Sequence, residues 1–291
     1  MRWQLSRLFI VLVLLGLIAV GASQRSYQAQ SHPNTLKLWF FDIGQGDAVL
    51  IDTPDNHQIL IDGGPTSSIL SRLTRALPLT DKEIDLVILT HNHADHLNGL
   101  IEVLRHYKVN KVWISGATNT TAGYKTFVGL INDKQIPAEA VQTGSRVDFG
   151  DLHGIALTPF ENTSGQQPQN QHDANVITFW QYGNQTLLET GDGETEQEDE
   201  LARRNLLRPT TILKVGHHGS YTSTGEALLT AIQPKIAVIS LGLNNKYGHP
   251  HQTTLDRLAK FGVPVLRSDQ SQTILFSLSA DSYTYQTSAL P

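Results

Sequence analysis

Residues 85–96 read DLVILTHNHADH: an aliphatic, β-branched run ending at Thr90, followed within six positions by three histidines and an aspartate. The apolar run predicts a buried strand, and its end delivers the chain into the histidine segment. With 12 histidines in 291 residues, an H-x-H-x-D-H pattern arises by chance on the order of 0.001 times. The two-residue spacing at a strand exit lets His91 and His93 point into one pocket, while Asp95 and His96 reach a neighbouring point on the turn. Such a set suits two cations about 3.5 Å apart. The competing reading is a loop of carboxylate-paired histidines, with Asp95 serving as N-cap of the helix that begins near Leu97.

Working outward, the other histidines are clustered too. His217 and His218 follow the strand-like TILKV (211–215), and His249 and His251 flank Pro250. Seven histidines thus fall in three short segments at strand-to-loop junctions, where a rigid sheet can aim them at one point. Asp192, in TGDG at the end of another strand, is a candidate bridging carboxylate between two cations. The chain has no cysteine, which excludes disulfides, thiolate nucleophiles and cysteine-type zinc sites. Any metal centre must be built from imidazole and carboxylate. Zn²⁺ suits that donor set best, and Mn²⁺ and Fe²⁺ accept it as well.

The surroundings alternate between short strands and helices. LKLWFF (36–41), AVLIDT (48–53) and QILID (58–62) predict hairpin-connected strands, with Pro54-Asp55-Asn56 as turn. A helix is expected over about 66–77. Another carries Leu97, Leu100, Ile101 and Leu104 as one apolar stripe. The second block repeats the theme: NVITFW (175–180), a Gly183-Asn184 turn, QTLLET (185–190) and an acidic helix from near Glu194. TILKV, KIAVIS (235–240), VPVLR and QTILFSL are expected to complete a second sheet, with a helix at Leu255, Leu258 and Ala259. The polar stretch 161–173 reads as a mobile loop. This is a layered α/β (α+β) arrangement, with one domain expected over 36–285.

Ahead of it, residues 8–20 form an unbroken apolar run preceded by Arg2 and Arg7 and followed by Gly21, Ala22 and Ser23. That order predicts a signal peptide over 1–23, either cleaved near Ala22 or retained as a membrane anchor, then a polar linker over 24–35. Either outcome places the domain outside the cytoplasm. The net charge of −5 excludes a binder that relies on a broad basic surface for a phosphate backbone. Lys214, Lys246 and Arg267 are the residues that could supply a local positive groove, or else simple rim charges.

The motifs FDIGQGDA (41–48), IDGG (61–64), HNHADH (91–96), TGD (190–192), KVGHHGS (214–220) and YGHPH (247–251) resemble those of the metallo-β-lactamase superfamily. Within it, they resemble the extracytoplasmic hydrolase domain of ComEC/Rec2 competence proteins. The resemblance implies a four-layer αββα sandwich with its site at one edge of the paired sheets. It implies His91 and His93 on one metal, Asp95 and His96 on the other, Asp192 between them, and one of His217 and His218 completing the second site. His218 is the ligand expected of that pair, with His217 as the alternative. Asp62 would hold the histidine loop from behind. The third histidine usual for the first metal has no clear counterpart; His172 lies near the right place, with Asp173 and Asn175 as alternatives. The multi-span channel of such competence proteins is not in these residues, so a hydrolase rather than a pore is implied, with a separate channel protein as candidate partner.

The function expected from these readings is a two-metal phosphodiesterase, in particular a nuclease, acting on nucleic acid outside the cytoplasm. Asp95 would orient the attacking water, and His249 or His217 would protonate the leaving oxygen. The alternatives are hydrolysis of another ester or amide, such as a cell-wall phosphoester, a phosphocholine ester, a lactone or a lactam. A non-catalytic DNA- or metal-binding component of an uptake assembly is the third.

Overall fold

The computed structural model describes residues 34–287. The predicted signal or anchor segment (1–23) and all but the end of the predicted linker (24–35) lie outside the described residues. From Leu36 onward the chain forms one unit. No helix among the described residues is long and apolar enough to cross a membrane.

The first three strands, β1 (Leu36–Phe40), β2 (Val49–Asp52) and β3 (Gln58–Ile61), form an antiparallel meander, as the hairpin signals predict. Then come α1 (Ser68–Ala76), β4 (Glu83–Ile88), α2 (Ala94–His106), β5 (Lys108–Ile114), α3 (Ala122–Asp133) and β6 (Ala138–Ala140). β3 to β6 run parallel, joined by helices as parallel strands must be. The second sheet holds β7 (Arg146–Phe149), β8 (Leu152–Ala156), β9 (Thr178–Tyr182) and β10 (Gln185–Glu189). It continues through α4 (Thr195–Arg203), β11 (Ile212–Lys214), α5 (Glu226–Ile232), β12 (Ile236–Ile239), α6 (Gln252–Lys260) and β13 (Val265–Arg267). After the short α7 (Ser268–Ser271), β14 (Ile274–Leu278) and β15 (Tyr283–Thr287) return to the first sheet.

That return corrects one expectation. QTILFSL does not join the second sheet; as β14 it pairs antiparallel with β1, Leu38 opposite Phe276. The strand is apolar on both faces, so its pattern fits either sheet, and only the long-range pairing decides. β5 to β8, β15, α3 and α5 are further elements that the sequence reading did not single out.

Period-2 alternation divides the apolar side chains into three layers. In β1, Leu36, Leu38 and Phe40 face the space between the sheets, while Trp39 faces the helix side. In β4, Leu86 and Ile88 face inward and Val87 outward; in β12, Ile236 and Val238 face inward, Ala237 and Ile239 outward. Strands buried on both faces are what a sheet covered by helices requires. The result is the four-layer αββα sandwich, with α1 to α3 over one sheet and α4 to α6 over the other.

Candidate metal centre

The strand ends converge as the sequence reading requires. β4 ends at Ile88, and the next residues carry His91 and His93 to the N-terminus of α2, whose first turn holds Asp95 and His96. Asp95 is not the N-cap: His93 occupies that position, and no side chain caps the helix. The carboxylate of Asp95 is turned instead toward His218, 3.4 Å from its Nε2. Two close backbone approaches fix this loop. Gly46, at φ +137°, has no room for a side chain, since a Cβ would lie 2.2 Å from the carbonyl oxygen of Asp95. The Gly63 N–H donates to the carbonyl of His96 at 2.8 Å.

Asp62, fully buried at the end of β3, organises the ring orientations. It accepts hydrogen bonds from the Thr90 N–H at 2.8 Å and the Thr90 hydroxyl at 2.7 Å, and its Oδ2 lies 2.7 Å from His96 Nδ1. The Thr90 hydroxyl proton being spent, its oxygen accepts from His91 Nδ1 at 3.1 Å. His218 Nδ1 donates to the carbonyl of Ser240 at 2.9 Å. In all three rings Nδ1 is engaged by the protein, which leaves Nε2 as the atom turned inward to meet a metal.

Those Nε2 atoms meet around Asp192. Its Oδ1 lies 3.4 Å from His96 Nε2 and 3.6 Å from His218 Nε2, whereas its Oδ2 lies 3.7 Å from His91 Nε2 and 3.6 Å from His172 Nε2. His93 Nδ1 lies 3.0 Å from His91 Nε2 and 3.2 Å from His172 Nε2. Two donor groups result: His91, His93, His172 and Asp192 on one side, and Asp95, His96 and His218 on the other. The buried atoms His96 Nε2, His218 Nε2 and Asp192 Oδ1 have no hydrogen-bond partner, a costly arrangement for a protein interior. Divalent cations fit this donor set, because they would satisfy all three atoms and match the imidazole–carboxylate chemistry.

The electrostatics agree. Burial pushes the Asp192 carboxyl up, but His218, His96 and His91 outweigh it and hold it well below the usual carboxylate range. For Asp95 too, His218 and His96 overcome burial and hold the carboxyl down. His96 is raised well above an ordinary histidine, Asp192 and Asp62 overcoming burial. His218 is raised to about 10, with Asp192 and Asp47 overcoming burial. Burial and the neighbouring imidazoles instead depress His91 well below, and His172 to about 4. Burial and the crowded imidazoles thus favour the uncharged form of His91 and His172, whereas the nearby carboxylates favour the charged form of His96 and His218.

His172 is brought into the first group, and the loop before it is not wholly irregular. Residues Gln171–Ala174 form a 3-10 turn, with the Asn170 side chain accepting from the His172 N–H. Asn92 ties this turn to the histidine loop, its Nδ2 donating to Gln171 Oε1 at 3.1 Å and to the Ala117 carbonyl at 2.9 Å. Of the alternatives, Asp173 is exposed. The Asn175 amide donates to the Thr190 carbonyl at 2.8 Å and accepts from the Asp192 N–H at 3.2 Å, so it shapes the aspartate turn.

The histidine pair separates cleanly. His217 and His218 both have left-handed backbones, at φ 46° and 52°, a strained conformation for residues with a side chain. The kink sends His218 into the second group and His217 outward. There His217 Nδ1 lies 3.3 Å from Glu194 Oε1, and its Nε2 lies 3.8 Å from Asp192 Oδ2. His249 stands beyond, its ring centroid 5.6 Å from that of His217 and 6.1 Å from that of His218. Burial and the neighbouring His218 and His217 push it down to about 4.

Two residues at the centre, Glu194 and Asp47, are given no site role by the sequence, and a third, Lys214, is given the wrong one. Glu194 faces both His217 and His172. Asp47 lies behind the second group, its Oδ1 3.4 Å from His218 Nδ1. Lys214, read as a groove or rim charge, is fully buried; its Nζ lies 2.5 Å from Asp47 Oδ2 and donates to the carbonyl of Val215. It therefore contributes no positive groove. Arg267 is likewise engaged, bidentate to Asp269. Parity could have revealed Lys214, since it falls on the same inward face of β11 as Ile212.

Residues 41–242 match the family model described as the metallo-beta-lactamase superfamily. The chain is 32% identical over 252 residues to "ComE operon protein 3" of Bacillus subtilis, covering 81% of this chain and 32% of that protein. It is 28% identical over 260 residues to "Recombination protein 2" of Haemophilus influenzae, covering 88% of this chain and 30% of that protein. It thus spans about a third of the length of these curated relatives. Among solved structures it resembles Igni18, titled a metallo hydrolase, from the archaeon Ignicoccus hospitalis. That likeness has a TM-score of 0.53 at 17% identity, covers 84% of this chain and 100% of the other, and bears on the fold alone. With the sandwich and the matched residues on one account, the chain belongs to the metallo-β-lactamase superfamily and is related to ComEC/Rec2-type competence proteins.

Proposed function

We propose that this protein is a metal-dependent phosphodiesterase, in particular a nuclease, working outside the cytoplasm in a competence-type setting. The observation that carries the reading is the two-sided Asp192 carboxylate, with imidazoles of separate groups on its two oxygens. Support for the substrate comes from relatives named for competence and recombination. His91, His93 and His172 would hold one cation, Asp95, His96 and His218 the other, and Asp192 would bridge them. Two divalent cations there supply Lewis-acid chemistry: they acidify water toward neutrality and neutralise the anionic oxygens of a phosphodiester. Zn²⁺ is the ion we assign, with Mn²⁺ and Fe²⁺ served by the same donors.

The protein's own groups do the rest. Asp95, open to solvent on one side, orients the attacking water. His217 delivers the proton to the leaving oxygen, its ring standing at the edge of the centre with Nδ1 3.3 Å from Glu194 Oε1 and Nε2 3.8 Å from Asp192 Oδ2. His249, pushed down to about 4, is neutral at pH 7 and serves to hydrogen-bond the substrate. Nucleic acid is the partner we assign, with residues 8–20 as membrane anchor or signal and a channel protein as associate.

The test is hydrolysis of bis-p-nitrophenyl phosphate and of labelled single-stranded and duplex DNA and RNA, with elemental analysis of the same preparation. We expect two metals per chain and turnover abolished by chelator. Hydrolysis of a lactone or carboxylic ester but of no phosphodiester would overturn the substrate assignment.

A further inference from the structure

Five large apolar or aromatic side chains stand exposed among the described residues, and three of them, Tyr221 at 61%, Leu243 at 72% and Tyr247 at 52%, belong to the two loops that carry His217, His218 and His249. The two tyrosines end a continuous ladder of rings that begins in the metal centre. From His218 the ladder passes to His249 at 6.1 Å between centroids. It then forks to Tyr247, stacked at 5.7 Å and 24°, and to His251 at 5.0 Å. His251 meets Tyr221 edge-on at 5.1 Å.

Both tyrosines are braced. The Tyr221 N–H donates to His251 Nδ1 at 3.2 Å, and Arg257 donates to the Tyr221 carbonyl at 2.9 Å. The Tyr247 N–H donates to Asn245 Oδ1 at 3.2 Å, and Asn245 also donates to the carbonyl of His249 at 2.8 Å. A loop fixed in this way spends little entropy in presenting a ring. Water-exposed aromatic rings at the two ends of this fork beside an anion-seeking centre, with the Lys246 ammonium 5.1 Å from the Tyr247 centroid, match the needs of an unpaired polynucleotide. Its bases need flat apolar partners, and its backbone needs local cations. A protein of net charge −5 gains affinity for such a strand through stacking, where charge supplies little.

We infer that Tyr221 and Tyr247 form a base-stacking platform that feeds an unpaired polynucleotide strand into the metal centre. The inference rests on the nuclease reading above for its substrate class. Stacking is independent of turnover, so the two can fail separately.

The experiment is fluorescence anisotropy with the full chain held in chelator, so that no hydrolysis interferes, using a labelled oligodeoxythymidylate and an abasic strand of equal length. Wild-type protein should bind the intact strand about 5- to 150-fold more tightly than the abasic one, the range for a stacked base. Tyr247→Ala and Tyr221→Ala should each erode that preference, and the double variant should abolish it, while Tyr→Trp at either position retains it. A merely structural role would lower affinity for both strands in parallel. Equal binding of intact and abasic strands by wild type, or an unchanged preference in the double variant, would overturn the inference. Such a result would leave the phosphodiesterase reading standing wherever bis-p-nitrophenyl phosphate is still cleaved.

Discussion

Replacing Lys214 by methionine isolates the buried ion pair beneath the second donor group. Lys214 and Asp47 are both essentially inaccessible, with Nζ 2.5 Å from Oδ2. Methionine fills the same space and removes the charge, so Asp47 is left as a buried carboxylate without its ammonium partner, facing the His218 and His96 imidazoles at 3.4 and 3.9 Å. Breaking such a pair from one side costs about 3 to 5 kcal/mol. For a domain of this size each kcal/mol shifts Tm by about 2 to 4 °C, so Lys214→Met should melt roughly 6 to 20 °C below wild type. The double variant Lys214→Met/Asp47→Leu removes both charges and should recover most of the loss, since an apolar replacement of the whole pair is close to neutral. Urea denaturation of the three proteins measures both values.

The pH dependence has a definite sign. Burial lowers Lys214, but Asp47 and Glu189 outweigh it and raise its pKa above the ordinary value. Its contribution is therefore fully present below the unfolded lysine pKa of about 10.4 and is lost as pH rises through the higher folded value. Burial raises Asp47, but Lys214 and His218 outweigh it and lower its pKa. Its share is present above the unfolded value of about 3.9 and is lost as pH falls through the lower folded one. The gap between wild type and Lys214→Met should thus stay flat between about pH 5 and pH 7, above which Glu189, raised by burial to about 8 beside Lys214, begins to titrate. A single variant within about 1 kcal/mol of wild type, or a double variant no better than the single, would refute the reasoning.

Four further outcomes follow from the structure. Asp192→Asn should abolish turnover and His172→Ala should cut metal content toward one ion per chain, both with near-native circular dichroism; elemental analysis beside the activity assay checks this. Adding Zn²⁺ to chelated protein at about 100 times its dissociation constant should raise stability by about 2.7 kcal/mol, read by differential scanning fluorimetry. Glu198, fully buried, accepts from the Thr224 and Gly225 N–H groups at 2.7 Å each, and burial pushes its carboxyl up to about 7. The folded state then holds a proton that the unfolded state has lost, so stability should fall by roughly 3 kcal/mol as pH rises from about 4.5 to 7. Urea titrations at several pH values should show that slope, and Glu198→Gln should flatten it.

Local signals carried the parts of the molecule that are local. The alternation of Leu36, Leu38 and Phe40 against Trp39 already requires a sheet covered on both faces. The spacing from His91 to His96 places four donors on one strand exit whatever the rest does. What stayed hidden depends on distant partners. His172 sits in a polar stretch without periodicity, and it reaches His93 only because Asn92 holds the Gln171 turn. Sequence cannot separate His217 from His218, because two successive left-handed residues reverse the usual alternation of directions. QTILFSL was assignable to either sheet until its pairing with β1 was known. Lys214 looks like any strand-end cation until the inward parity of Ile212 is extended by two residues.

The same residues explain how the fold tolerates so many buried acids. Asp47, Asp62 and Asp192 all lie within a few ångströms of His96, and like charges at that range are costly in a low-dielectric interior. Lys214 neutralises one permanently. On the protein's own charges, the remaining demand is met by protons on His96 and His218, both raised well above an ordinary histidine. A divalent cation at the second group would replace the proton on each Nε2 while leaving Nδ1–H on Asp62 and the Ser240 carbonyl. The orientation of each ring is therefore the same before and after the exchange, and binding costs proton release rather than reorganisation. Asp62 and Thr90 set the rings, Lys214 fixes the background charge, and Asp192 is the group whose charge the protons or the cations must answer.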